Sequence, residues 1–118
     1  MNLLSTLMIL LGLLMLVGVG LLLVTLRTVR EVEASLPPMG RFFDVPGARL
    51  HVVERGQGPA LLLVHGLAGQ LGHYTYGIVD QLVSKYRVVA VDRPGSGYSV
   101  RLRGTAATMQ AQADALAA

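Results

Sequence analysis

Residues 60–69 read ALLLVHGLAG and residues 86–99 read YRVVAVDRPGSGYS, and these two stretches decide the fold. Each begins with an apolar run of strand length, at residues 60–64 in the first and 86–91 in the second. Apolar runs that lack alternating polar residues are typical of strands buried on both faces, as in parallel sheets. The sequence therefore predicts two buried strands, each followed directly by a glycine-containing turn.

The regions around these strands predict the rest of an α/β arrangement. Residues 74–85 carry apolar side chains that share one helical face: Ile78, Val79, Leu82 and Val83. Further upstream, residues 41–45 and 48–54 flank Pro46-Gly47, which suits the centre of a type II turn and predicts a hairpin. The order of hairpin, strand, helix and strand indicates an α/β protein.

The C-terminal residues 105–118 (TAATMQAQADALAA) are alanine-rich and predict a helix capped by Thr105. Met109, Ala113 and Leu116 would line one face of this helix. No Gly or Asn stop signal follows, so the chain is expected to end inside this helix.

The N-terminal residues 3–26 (LLSTLMILLGLLMLVGVGLLLVTL) contain no charged side chain. Spanning a bilayer takes about 20 apolar residues, so we predict a transmembrane helix at residues 1–26, with the lipid bilayer as its partner. A juxtamembrane stalk at 27–39 and a soluble domain at 40–118 would follow. The alternative is a cleaved signal peptide, but the run lacks a preceding Lys or Arg and exceeds the usual apolar length of about 7–15 residues.

Charge adds an expected orientation and excludes one class of partner. Arg27 and Arg30 follow the apolar run directly, so the positive-inside rule places the soluble part in the cytoplasm of a single-pass membrane protein. The net charge is +3, and the ten basic residues are spread along the chain. We therefore predict no nucleic-acid partner. The absence of cysteine excludes disulfides and thiolate metal sites.

The first candidate motif is the HGLAG turn at residues 65–69, directly after the first strand. Such a turn can aim backbone N–H groups above the sheet, where they stabilise a developing oxyanion without any side chain. Gly66 would permit a sharp turn and the close approach of a substrate. An ordinary strand-to-helix turn is the simpler alternative, and the missing Gly-Lys-Ser/Thr excludes a phosphate-binding P-loop.

The second candidate motif is DRPGSGYS at residues 92–99, directly after the second strand. Its residue types are turn formers, so it can simply shape a loop. It also holds Gly95 and Gly97 in a Gly-x-Gly pattern, but Val100 replaces the third glycine of a dinucleotide fingerprint. A membrane-tethered, Rossmann-like nucleotide-binding module therefore stays open as an alternative.

The remaining polar residues predict neither a nucleophile nor a metal site. Gly-x-Ser-x-Gly requires a glycine two residues before and another two residues after the serine. Neither Ser96 nor Ser99 has both, so neither is predicted to be a nucleophile. The three histidines have no zinc-site spacing and are expected at the surface or in turns: His51, His65 and His73. We therefore predict no metal and no cofactor.

With both motifs in this order, residues 41–118 resemble the α/β-hydrolase superfamily. HGxxG followed by Asp-x-x-Gly-x-Gly-x-Ser is far more specific than either motif alone. The resemblance implies the first four strands, the first helix and the start of the second helix of a mostly parallel sheet. It also implies that the strand at 60–64 lies between the strand at 86–91 and a further strand beyond residue 118.

The resemblance also implies roles for individual residues. The backbone N–H of Leu67 would be one donor of the oxyanion hole. Three residues would shape that loop: His65, Gly66 and Gly69. Four residues would shape the second turn: Asp92, Gly95, Gly97 and Ser99. In the family the nucleophile, the acid and the catalytic histidine come later, so they are expected beyond this chain.

The function implied is that of a membrane-anchored hydrolase, which cleaves an ester or related bond of a small-molecule substrate through a covalent intermediate. The 118-residue chain would be a fragment of it and inactive alone. The alternatives are the nucleotide-binding module and a natural short protein without catalytic activity.

Overall fold

The computed structural model describes residues 2–118, which form two compact units that meet between Pro37 and Pro38. The first unit is helix α1 (Leu3–Ser35), whose first turn is capped by Asn2. The Ser5 amide donates to Asn2 Oδ1 at 2.9 Å. Within residues 2–118, α1 is the one helix long and apolar enough to cross a membrane.

The helix α1 continues beyond Leu26 into the predicted stalk and ends before Pro37-Pro38. A proline cannot continue a helix, because it lacks the amide hydrogen and its ring collides with the preceding turn. No residue of α1 is buried.

The second unit is built on a mixed sheet with the strand order β1-β2-β4-β3. A short β5 pairs with β2 beside this path. The strands are β1 (Arg41–Val45), β2 (Ala48–Arg55), β3 (Ala60–Val64), β4 (Arg87–Val91) and β5 (Val100–Arg101). This architecture confirms the predicted α/β fold and the order of its strands.

The predicted hairpin is present: β1 and β2 pair antiparallel, with Val45 opposite Ala48 across Pro46-Gly47. Gly47 has a φ of +80°, a conformation that glycine adopts readily. The strand β2 then pairs antiparallel with β4, and β4 pairs parallel with β3. The apolar pair predicted from the sequence therefore lies side by side, with Val64 opposite Val91.

The helix predicted at residues 74–85 is wrong as a single element. Two short helices replace it, α2 (Gly72–Thr75) and α3 (Ile78–Leu82). Gly77 lies between them with φ −171° and ψ −74°, outside helical geometry. Glycine loses more backbone entropy in a helix than other residues, so it favours a break here.

The last helix, α4 (Met109–Ala117), begins later than predicted. Thr108 caps it instead of Thr105, since the Ala111 amide donates to Thr108 Oγ1 at 3.2 Å. Within α4, Met109 is exposed and Ala115 is the buried residue.

Two small core clusters lie on opposite faces of the sheet, as the alternation of strand side chains requires. One contains Ala48, Leu50, Val91 and Ala115 of α4, and the other contains Val53, Leu71 and Ala90. The strand β3 pairs only with β4 among residues 2–118, and Leu62 and Val64 are exposed on it. The sheet therefore ends in an open, apolar edge strand.

Candidate functional site

Two loops follow the carboxyl ends of the parallel strands β3 and β4. We call residues 65–71 the Leu67 loop and residues 92–99 the Asp92 loop. Because Val64 and Val91 are in register, the first residues of the two loops, His65 and Asp92, start side by side. All eight sequence-predicted site residues belong to these two loops.

His65 is buried and joins the two loops. Its Nδ1 lies 2.9 Å from the Gly66 carbonyl oxygen, and its Nε2 lies 3.0 Å from the Arg93 amide nitrogen. An amide N–H can only donate, so Nε2 must accept and Nδ1 must carry the hydrogen. The contacts thus select the neutral Nδ1–H tautomer of His65, which holds the first turn of the Leu67 loop against the Asp92 loop.

Leu67 lies at the exposed tip of its loop. The residue is 93% exposed, and its backbone N–H has no hydrogen-bond acceptor within residues 2–118. The neighbouring Ala68 has a φ of +56°. Among residues 2–118 it is the one non-glycine residue with a positive φ. Backbone held in this region costs about 1–3 kcal/mol and persists where its surroundings impose it.

The two glycines of this loop differ in what they allow. A Cβ added at Gly69 would lie 3.1 Å from His65 Nδ1, so the loop closes tightly there. A Cβ at Gly66 would meet no described atom within 4 Å, and Gly66 is not in the left-handed region. The unusual backbone conformation therefore lies at Ala68, whereas the sharp turn was expected at Gly66.

The Asp92 loop is organised by the carboxylate of Asp92, which is 1% exposed. Its Oδ1 accepts the Leu71 amide at 2.8 Å, and its Oδ2 accepts the Tyr98 amide at 3.1 Å. The same Oδ2 lies 2.8 Å from His51 Nδ1 on β2. One carboxylate thus connects the Leu67 loop, the Asp92 loop and a central strand.

The small residues of the Asp92 loop leave room for that carboxylate. Gly97 has a φ of +53°, and a Cβ there would lie 2.3 Å from Asp92 Cγ. Gly95 has a φ of +82° in the same turn. Ser99 is buried; its Oγ donates to the Asp92 carbonyl at 2.7 Å and accepts the His51 amide at 2.8 Å.

The structure thus places both serines of this loop in the framework of a turn. Ser99 Oγ is committed to two backbone groups, and the Ser96 amide closes a turn on the Arg93 carbonyl at 2.9 Å. No imidazole nitrogen hydrogen-bonds to either hydroxyl within the described residues, so neither serine has the adjacent base that activates a nucleophile. No group of three possible metal ligands occurs among residues 2–118 either.

The expectation that the histidines lie at the surface or in turns is wrong for His51, which is 2% exposed and lies within β2. His65 lies in the predicted turn, where it is 3% exposed, and His73 is exposed. His51 was missed because it follows buried Leu50 on β2, against the alternation of a half-exposed strand. The buried carboxylate of Asp92 requires hydrogen-bond donors nearby, but its burial is visible only in the structure.

Comparison with known proteins matches this geometry. The family model described as alpha/beta hydrolase fold matches residues 59–117, which include β3, β4 and both loops. The chain belongs to the α/β-hydrolase fold family. The match covers the two motifs on which the resemblance rested.

Three relatives show how the similarity is distributed. The chain is 37% identical over 82 residues to bifunctional epoxide hydrolase 2 of Sus scrofa, covering 70% of this chain and 15% of that protein. It is 56% identical over 48 residues to a pimeloyl-[acyl-carrier protein] methyl ester esterase of Aeromonas hydrophila, covering 40% and 18%. A solved structure of a membrane phospholipase A, a bacterial virulence factor, aligns with a TM-score of 0.61 and 28% identity. That alignment covers 96% of this chain and 38% of the phospholipase.

The curated α/β-hydrolase relatives are much longer than the region they share with this chain. The matched segments account for 15% of the pig epoxide hydrolase and 18% of the esterase. What those proteins do as wholes therefore depends on residues outside the matched region as well.

Proposed function

We propose that this chain supplies the membrane anchor and one half of the oxyanion hole of a hydrolase that cleaves ester bonds. The observation that carries the proposal is the Leu67 N–H, which lacks an acceptor among residues 2–118 and lies at an exposed loop tip beside the strand ends. Because no described residue accepts this exposed N–H, a ligand bound above the strand ends could accept it in place of water.

The chemistry follows from where negative charge develops. When a nucleophile attacks an ester carbonyl, the carbonyl oxygen becomes an oxyanion, and a fixed N–H donor stabilises it more than the ground state. Leu67 would provide one such donor. In the family the second donor, the nucleophile, the acid and the catalytic histidine come from later segments, so the 1–118 chain alone would be inactive.

The substrate class we propose is the acyl ester of a membrane lipid. The support is α1, whose exposed apolar surface fits a bilayer, and the alignment with the membrane phospholipase A, which extends over 96% of this chain and so includes α1. Residues 3–26 would cross the bilayer, with the hydrolase domain tethered to its surface. Following Arg27 and Arg30, we propose the cytoplasmic side.

A second candidate reaction is epoxide hydrolysis, because the pig relative at 37% identity is an epoxide hydrolase. In that reaction the ring oxygen, rather than a carbonyl oxygen, needs stabilisation. The nucleotide-binding alternative has less support. The Leu71 and Tyr98 amides, which could otherwise bind a phosphate, already bind the Asp92 carboxylate.

The decisive experiment compares Leu67→Pro with Leu67→Ala in the full-length gene product, purified in detergent. Proline removes the N–H donor, whereas alanine keeps it and removes only an exposed side chain. We expect Leu67→Pro to lower kcat for a phospholipid or p-nitrophenyl ester by about 10²–10³, the usual effect of losing one oxyanion donor. Equal activity of both variants, with equal thermal melting, would disprove the role of Leu67. Assaying an epoxide in parallel separates the two reactions.

The membrane part is tested separately. The full-length product should stay with membranes through a carbonate wash, and a chain starting at Met39 should not be an integral membrane protein. The 118 residues contain no cysteine, so a cysteine introduced at exposed Gly104 or Ser35 can be probed with a membrane-impermeant thiol reagent. Labelling in intact cells would contradict the cytoplasmic orientation, and a mature N-terminus at Ser35 would show a cleaved signal peptide.

A further inference from the structure

His51 occupies a position that the proposed reaction does not use, yet it is among the most buried polar residues of the chain. It lies on β2 and is 2% exposed. Its ring packs against Phe42, with centroids 5.1 Å apart, and edge-on against Tyr98 at 5.5 Å. A polar ring enclosed in this way requires hydrogen-bond partners, because an unpaired buried polar group is costly.

Both ring nitrogens of His51 have such partners, and both partners are acceptors. Nδ1 faces Asp92 Oδ2 at 2.8 Å, and Nε2 contacts the carbonyl oxygen of Met39. A carbonyl oxygen and a carboxylate oxygen can only accept, so the two contacts are satisfied together when both ring nitrogens carry hydrogen. The ring of His51 therefore lies between two acceptors, one on the Asp92 loop and one at Met39.

The two partners of His51 lie in functionally different places. Met39 follows Pro37-Pro38, the residues that connect α1 to the second unit. Asp92 extends the series of hydrogen bonds to the Leu67 loop, because its other oxygen accepts the Leu71 amide at 2.8 Å. An uninterrupted series of hydrogen bonds thus runs from the Met39 carbonyl through His51 and Asp92 to the Leu71 amide.

We infer that His51 is a positioning residue that fixes the Leu67 loop through Asp92 and couples the order of this loop to the segment that follows the membrane helix. The inference rests on the proposed oxyanion role of Leu67. A bond to the Asp92 carboxylate holds the oxygen that accepts Leu71, and the bond to Met39 holds the imidazole ring in place. Loosening of residues 38–41 would therefore loosen the ring, the carboxylate and the loop in turn.

Two substitutions separate the two bonds of His51. The side-chain nitrogen of asparagine lies where histidine carries Nδ1, and that of glutamine lies where histidine carries Nε2. His51→Asn therefore keeps a donor toward Asp92 and loses Met39, whereas His51→Gln keeps a donor toward Met39 and loses Asp92. The His51 amide and carbonyl still bond to Ser99 Oγ and the Asp92 amide in both variants, which favours an intact fold. His73→Gln, on an exposed histidine, is the matched control.

The experiment reads the loop directly in the full-length gene product in detergent. Hydrogen exchange by mass spectrometry follows peptides that cover residues 65–71 and 38–41, and histidine-selective ¹⁵N labelling follows the ring of His65. In His51→Gln we expect exchange in 65–71 to accelerate about tenfold, with shifted His65 ring signals. In His51→Asn we expect faster exchange first in 38–41, with a smaller change in 65–71. The control should match the wild type.

Each outcome decides the inference. Unchanged exchange in 65–71 of His51→Gln, or equal acceleration in every strand of the sheet, would overturn the positioning role. Faster exchange in 38–41 of His51→Asn, without any change at His65, would overturn the coupling. Where hydrolysis is measurable, His51→Gln should lower kcat by about 10- to 100-fold and change KM little, since misplaced groups act on the transition state. The exchange readout needs no turnover, so it can fail or succeed independently of the proposed reaction.

Discussion

The Leu67 loop and the Asp92 loop occupy equivalent positions at the carboxyl ends of two paired parallel strands, but their hydrogen bonding is opposite. In the Asp92 loop the buried carboxylate binds two amides and an imidazole, and Ser99 Oγ binds two backbone groups. In the Leu67 loop the tip amide is open and Ala68 holds a positive φ. Position at the end of a strand therefore does not define a role. The first loop leaves a backbone donor open at its tip, and the second is closed by its own hydrogen bonds.

The strands beneath the two loops differ in the same way. The strand β4 lies between β2 and β3, and its residues Val88, Ala90 and Val91 are buried. The strand β3 is an edge strand within the described chain, and Leu62 and Val64 are exposed. The Leu67 loop thus follows the partly exposed edge strand β3, and the Asp92 loop follows the buried strand β4.

The largest expected effect follows from the β3 edge. A chain of residues 39–118 alone should form inclusion bodies, or bind hydrophobic dyes without a cooperative thermal transition. An apolar edge with unpaired N–H and C=O groups templates aggregation, and no charge or proline interrupts residues 60–64. Size-exclusion chromatography and thermal melting check this expectation.

A charge on the edge strand provides the control. Leu62→Lys should raise the soluble fraction of residues 39–118, because a lysine on an exposed edge discourages pairing with another chain. A monodisperse monomer with a sharp melt and slow hydrogen exchange in Ala60–Val64 would contradict the expectation and would favour a complete small domain.

The next largest effect concerns the Asp92 loop. Asp92→Asn keeps one oxygen but turns an amide group toward the His51 and Tyr98 donors, leaving them without an acceptor. Each buried donor left without an acceptor costs about 1–3 kcal/mol of unfolding free energy. Chemical denaturation of the full-length gene product measures it. Asp44→Asn is the control, because its bridge to Arg49 is exposed and should contribute at most about 1 kcal/mol. Equal losses in both variants would show that the Asp92 contacts contribute no more than a surface bridge.

The sequence predicted the strands and the hairpin because their signals are local. Apolar runs at 60–64 and 86–91 and the Pro46-Gly47 turn each depend on a few adjacent residues. The helix at 74–85 failed because the apolar spacing continued across Gly77, whose backbone preference outweighed it. The cap is Thr108, and Thr105 instead lies with its side chain beside Gly47 of the hairpin, a proximity that no local pattern reveals.

The candidate site was predictable only in outline. The motif positions of Leu67 and Asp92 could be read from the sequence, since glycine-containing turns after buried strands are visible there. The partner of Asp92 could not, because His51 lies 41 positions away on another strand. Whether the Leu67 amide is open also depends on the loop backbone, including the positive φ of Ala68, where alanine gives no signal of this conformation.

A smaller expected loss of stability distinguishes a steric clash from backbone strain at a glycine of the Asp92 loop. Gly97→Ala should destabilise the protein by about 2–4 kcal/mol, because φ is +53° and the new Cβ would collide with the Asp92 carboxylate. Gly104→Ala is the matched control, with φ +84° and open space around the position. We expect it to cost only the backbone strain, about 1 kcal/mol. Denaturation midpoints of the two variants measure the difference, and similar midpoints would mean that the carboxylate moves aside without cost.

The smallest expected effect concerns the tip of the Leu67 loop. Leu67→Ala should change the unfolding free energy by less than about 0.5 kcal/mol, because the side chain is 93% exposed and removing it uncovers no core. Leu71→Ala, four residues along the same loop, should cost about 2–5 kcal/mol, because Leu71 is 3% exposed and packs with Val53 and Ala90. Both substitutions keep the backbone amide, so the pair compares two leucine side chains of one loop by denaturation. A large loss in Leu67→Ala would mean that its side chain is covered in the full-length gene product, by a segment beyond residue 118 or by lipid. The tip of the loop would then be part of a buried site instead of an exposed turn.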